Sequence, residues 1–144
     1  MSQSLLHSLQ SLSLTNVTLT VEGIEALNRG FENNVHLKEL YLERCGITDK
    51  LAHALKIDSC ASLILLSLAG NRLRDAGIVG QVISRHGERR DRITYEEALR
   101  GEFGEMVEVM GVCEVNLSEN EIDDYGLKEL CFFLRQDSWM RVKC

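Results

Sequence analysis

One spaced apolar pattern, L-x-x-L-x-L-x-x-(N/C)-x-L, returns four times along this chain and restricts what it can fold into more than any other feature. It starts at Leu9, Leu37, Leu63 and Val112. The first unit fills it with Leu9, Leu12, Leu14, Val17 and Leu19, and the second with Leu37, Leu40, Leu42, Cys45 and Ile47. The third has Leu63, Leu66, Leu68, Asn71 and Leu73, and the fourth Val112, Val115, Leu117, Asn120 and Ile122. Residues two apart on a strand share a face, so the paired leucines in the middle of each unit point into a common core. The starts lie 28, 26 and 49 residues apart, so the ordinary unit is long and the third carries an excess of 49 over 28, or 21 residues, falling within 85–111.

A unit of 28 residues has room for a helix after its strand, and the residues that follow each strand have helical spacing. Thr20 precedes Gly23, Ile24 and Leu27, and Thr48 or Asp49 precedes Leu51 and Leu55. Asp75 precedes Ile78, Val79, Val82 and Ile83, and Asp123 precedes Leu127, Leu130, Phe133 and Leu134. Thr and Asp are N-cap residues, and apolar residues three and four apart form one helix face. A single unit cannot bury both its strand face and its helix face, whereas stacked units can. The expected fold is an α/β solenoid with a curved parallel sheet on the concave side and helices on the convex side. Strands are predicted near Ser11–Leu14, Glu39–Leu42, Leu65–Leu68 and Glu114–Leu117. The repeats resemble the ribonuclease-inhibitor-like class of leucine-rich repeats over nearly the whole chain. Residues 1–144 read as one domain with repeats near 9–36, 37–62, 63–111 and 112–139. Ser4–Ser8 looks like the tail of a preceding helix and Trp139–Cys144 like the opening of a fifth strand, so a fragment with uncapped ends that self-associate is expected.

Composition narrows the function. A formal charge of −6 provides no global field for nucleic acid, and no apolar run is long enough to span a bilayer. The default partner is another protein, in the cytoplasm. Cys45, Cys60, Cys113, Cys131 and Cys144 are odd in number and contain no C-x-x-C pair, so they read as reduced thiols. His7, His36, His53 and His86 show no metal-ligand spacing with them. No phosphate-binding loop, nucleophile elbow or paired carboxylate site is visible, so no catalytic residue, cofactor or metal is expected.

Two surfaces remain as candidates. Strand positions pointing away from the core include Ser11, Ser13, Thr15, Ser67, Ala69 and Ser118, together with Glu39, Tyr41, Glu43, Leu65, Glu114 and Asn116. Tyr41 and Leu65 can anchor a partner segment, and the surrounding glutamates favour one that is basic or amphipathic. The second candidate is the insertion, where Arg85, Arg89, Arg90 and Arg92 precede a glutamate-rich stretch and Thr94 can cap a short helix through Leu99. Tyr95 and Leu99 share a helix face and could dock it back on the solenoid, leaving Arg89, Arg90, Arg92 and Arg100 to a partner.

Arg89, Arg90, Thr94, Tyr95, Glu97, Leu99 and Arg100 follow an R-R-x-x-x-T-(W/Y)-x-E-x-L-R signature similar to that of the centrosomal protein of 78 kDa family, in which it also interrupts a leucine-rich-repeat array. Tyr95 stands where tryptophan is the family's expected residue. The resemblance implies a non-enzymatic centriole and basal-body scaffold acting in cilium formation and recruiting ubiquitin-ligase components. The alternatives are a generic intracellular leucine-rich-repeat adaptor and a repeat domain of the GTPase-activating type.

Overall fold

The computed structural model describes residues 9–32, 34, 36–57, 60, 62–82, 112, 114–135 and 141–144. Within them strand and helix alternate: β1 (Ser11–Thr15), α1 (Val21–Phe31), β2 (Glu39–Glu43), α2 (Asp49–Ala54), β3 (Leu65–Ser67), α3 (Gly77–Val82), β4 (Glu114–Asn116), α4 (Asp124–Leu134) and β5 (Arg141–Lys143). The strands form one parallel sheet in sequence order, and consecutive helices pack on one another. The repeat therefore builds the solenoid it predicted. β3 and β4 stop one residue short of the expectation, and β1 and β2 run one residue past it.

The register explains why the leucine positions recur. Leu12, Leu40, Leu66, Val115 and Val142 sit side by side across all five strands. The three in the middle are fully buried, while Leu12 and Val142 at the two edges are half-buried, because each has a neighbour on one side only. Residues outside the repeat pattern complete the core: Phe31, Ile57, Cys60 and Ala76 close the helix side of their coils.

Each strand ends in a turn with a strict backbone requirement. The eighth residue of all four units, Asn16, Arg44, Gly70 and Glu119, is left-handed, with φ of 61°, 54°, 73° and 59°. Side chains are tolerated in that conformation at a cost of about 1 kcal/mol each. The turns are held by the ninth residue. Asn71 Oδ1 accepts from Cys45 N (2.9 Å) and Ile47 N (3.1 Å), and its Nδ2 donates to Leu42 O and Leu68 O, both at 2.8 Å. Asn120 repeats this one unit on, accepting from Leu73 N (3.0 Å) and donating to Leu68 O (2.8 Å) and Leu117 O (3.1 Å). Cys45 holds the same place with a thiol that donates to Leu14 O at 3.4 Å. Val17, at the ninth position of the first unit, is exposed.

The helices begin where capping chemistry places them. Thr20, Thr48 and Asp123 accept from the backbone N–H three residues on, at 3.4, 3.5 and 2.8 Å. Of the two candidates before α2, Thr48 is therefore the cap. Asp49 instead reaches into the next unit, where its carboxylate accepts from Arg74 N (3.0 Å) and Asp75 N (3.3 Å). Asp75 departs from the expected cap as well. It accepts from Gly77 N, only two residues on (2.9 Å), while the N–H of Ala76 is taken by Glu129 of α4 (2.9 Å) and α3 begins at Gly77.

Candidate concave binding face

The sheet's outward positions line up in rows. Ser11, Glu39, Leu65, Glu114 and Arg141 make one row, and Ser13, Tyr41, Ser67, Asn116 and Lys143 the next. Thr15 and Glu43 begin a third. Six candidate residues from three different repeats, Glu39, Tyr41, Glu43, Leu65, Glu114 and Asn116, are thereby brought onto one face.

Tyr41 and Leu65 are half-buried apolar surface on that face, and carboxylates surround the tyrosine. Its hydroxyl donates to Glu39 Oε2 at 3.4 Å, and Ser11 Oγ donates to the same oxygen at 3.4 Å. Partial burial and then the charges of Glu39, Glu43 and Glu114 push the Tyr41 phenol above its ordinary value, as a concentrated negative field does. The positive charges of the two rows, Arg141 and Lys143, lie on β5 at the far edge. The face is therefore polar along its length, acidic over β2 to β4 and basic at β5.

Two side chains on this face are less available than their strand positions suggested. Ser67 is buried, since its hydroxyl donates to Glu43 Oε1 at 2.8 Å under the neighbouring side chains. Asn116 uses Oδ1 to accept from Ser118 N at 3.0 Å, which ties it to its own turn. An Asn two residues before a turn N–H is a recognisable signal for such a bond. At the turn edge, Arg44 passes over Gly70 to reach Glu119 at 3.3 Å, and a Cβ at Gly70 would come within 2.7 Å of Arg44 Cγ. Nothing in sequence spacing announces that contact across 75 residues. Both partners are largely exposed, so the pair contributes little to stability.

Arg89, Arg90, Arg92, Tyr95 and Arg100 of the insertion lie outside the described residues. Among the described residues no group of three or more His, Cys, Asp or Glu side chains converges as a metal site.

A family described as Leucine Rich repeat matches residues 33–50 and 114–131, which span the second and fourth strands with the starts of their helices. No curated protein matches the chain. Among solved structures it is similar to the tropomodulin C-terminal domain of Caenorhabditis elegans, at 16% identity and a TM-score of 0.62, over 98% of this chain and 78% of that one. That likeness is one of fold. With the repeat register and the family matches, it makes this chain a leucine-rich-repeat solenoid, a fold that ordinarily serves as a protein-binding scaffold.

Proposed function

We propose that this chain is a non-enzymatic scaffold whose sheet face takes a basic or amphipathic segment of another protein, with Tyr41 and Leu65 as the anchor. The observation that carries the reading is the convergence of Glu39, Glu43 and Glu114 on Tyr41 from β2 and β4, beside an apolar Leu65. Bulky side chains that a partner can desolvate are the usual anchors of a binding hot spot, and complementary charge around them speeds encounter and selects the partner. The test is proximity labelling with the protein and its Tyr41→Ala/Leu65→Ser variant. Partners lost in the variant support the reading, and an unchanged set refutes it. A GTPase stimulation assay checks the enzymatic alternative, since a scaffold leaves nucleotide hydrolysis unchanged.

The signature Arg89, Arg90, Thr94, Tyr95, Glu97, Leu99 and Arg100 favours a more specific setting, a centriole or basal-body scaffold in cilium formation that recruits ubiquitin-ligase components. In that setting the arginines of the insertion, Arg89, Arg90, Arg92 and Arg100, form a second contact with a partner. The tagged full-length protein is expected in centriolar foci. A cytosolic pattern without foci refutes the centriolar reading and leaves the scaffold reading standing.

A further inference from the structure

The sign of the charge on the sheet's outward face changes across the strands, not along them. β2 carries Glu39 and Glu43 on either side of Tyr41, and β4 adds Glu114. β5 carries Arg141 and Lys143, which its register sets beside Glu114 and Asn116. Strand alternation then puts both cations on the face that bears Tyr41, whether or not a further strand follows. Among the described residues the ion pairs are Arg44–Glu119 and His53–Asp75, so neither end of the face neutralises the other. Lys143 has the uncharged Asn116 beside it, and the positive end therefore persists next to Glu114.

The two ends are far enough apart to be felt separately. Tyr41 and Lys143 stand in one row, three strand spacings or about 14 Å apart. Screening in physiological salt acts over about 8 Å. A wholly basic segment spanning the face is thus attracted over β2 and repelled over β5. Between the ends lies the half-buried Leu65. An extended segment covers about 14 Å in four residues, and its alternation keeps the first, third and fifth side chains on one side. A helix takes about nine residues for the same distance, and its two end side chains then point in opposite directions.

We propose, resting on the concave-face reading, that the partner segment is extended, crosses the strands, and carries a basic and an acidic residue four positions apart with an apolar residue midway. The basic residue lies on Tyr41 between Glu39 and Glu43, where ring and carboxylates both attract a cation. The apolar residue covers Leu65, and the acidic one meets Lys143 and Arg141. The β5 cations thereby discriminate, since they reject a purely basic segment that β2 alone would accept.

The probes are two end-capped peptides of about nine residues, long enough to cross the face, with Lys-x-Leu-x-Glu or Lys-x-Leu-x-Lys at the centre. Fluorescence anisotropy compares them on this chain. The mixed peptide is expected to bind at least about ten times more tightly. Arg141→Glu/Lys143→Glu, at exposed sites and with an unchanged melting curve as the control for folding, reverses that preference. Equal affinity for the two peptides, tighter binding of the basic one, or a preference that survives the β5 reversal overturns the inference. If Tyr41→Ala/Leu65→Ser still weakens binding in those cases, the concave-face reading stands without it. Binding of neither peptide, or binding indifferent to Tyr41→Ala/Leu65→Ser, overturns both.

Discussion

Asn71 ties neighbouring units together through its side-chain amide. It is 4% exposed and joins two units by satisfying two backbone donors and two carbonyls. Asn71→Ala strands those groups in the interior and should cost about 3 kcal/mol, read from urea unfolding. Asn120→Ala, at a half-buried site, should cost less. The buried thiols lead to a pH dependence. Burial pushes Cys60 from an ordinary value of 9.0 up to about 11, and Cys45 also upward. A group whose pKa is raised by folding lends stability that is complete below its unfolded value and is lost as pH climbs through the folded one. Stability should therefore hold below pH 9 and fall between about 9 and 11 by about 2 kcal/mol on account of Cys60. Cys60→Ala, although less stable at neutral pH, should show a shallower fall over that window in pH-dependent denaturation.

At the scale of elements, the helix junctions decide which glycines are replaceable. Gly23 and Gly126 occupy the same place in α1 and α4. A Cβ at Gly126 would run into the Arg74 carbonyl oxygen, and one at Gly80 into the Phe133 ring, whereas at Gly23 its nearest neighbour is the flexible end of Leu19 at 3.2 Å. Alanine favours a helix over glycine by about 1 kcal/mol, so propensity alone assigns all three substitutions the same sign. Packing should reverse it at two of them: Gly126→Ala and Gly80→Ala are each expected to destabilise by about 2 kcal/mol, while Gly23→Ala should be neutral or stabilising. Thermal unfolding of the three variants checks this.

Across the whole molecule, position in the stack sets how much each repeat leucine matters. Leu66 lies between Leu40 and Val115 and is fully buried, while Leu12 at the edge is half-buried with one neighbouring strand. Leu66→Ala should cost about 3–5 kcal/mol, enough to unfold a domain of ordinary stability, and Leu12→Ala about 1–2 kcal/mol. Circular dichroism and denaturant midpoints separate the two. If the costs were equal, stability would not be set by nearest-neighbour stacking.

The solenoid, its strand-then-helix order and the inward row of Leu12, Leu40, Leu66 and Val115 were legible in the amino-acid sequence because strand alternation and helical spacing are local rules that every unit repeats. Three of the four helix starts followed as well, since a cap acts within three residues. The site was legible only as a set of strand positions. Glu39 and Glu43 flank Tyr41 by alternation on its own strand, and Asn116 bonds its own turn two residues on, whereas the nearness of Glu114 to Tyr41 and the burial of Ser67 depend on register between strands about 26 to 49 residues apart in the sequence. The left-handed backbone of Arg44 and Glu119 and the bond from the Cys45 thiol to the Leu14 carbonyl likewise belong to the tertiary structure. Periodicity reports which face of an element is apolar. Which neighbour covers that face, and which polar groups that neighbour satisfies, is decided only when the coils stack.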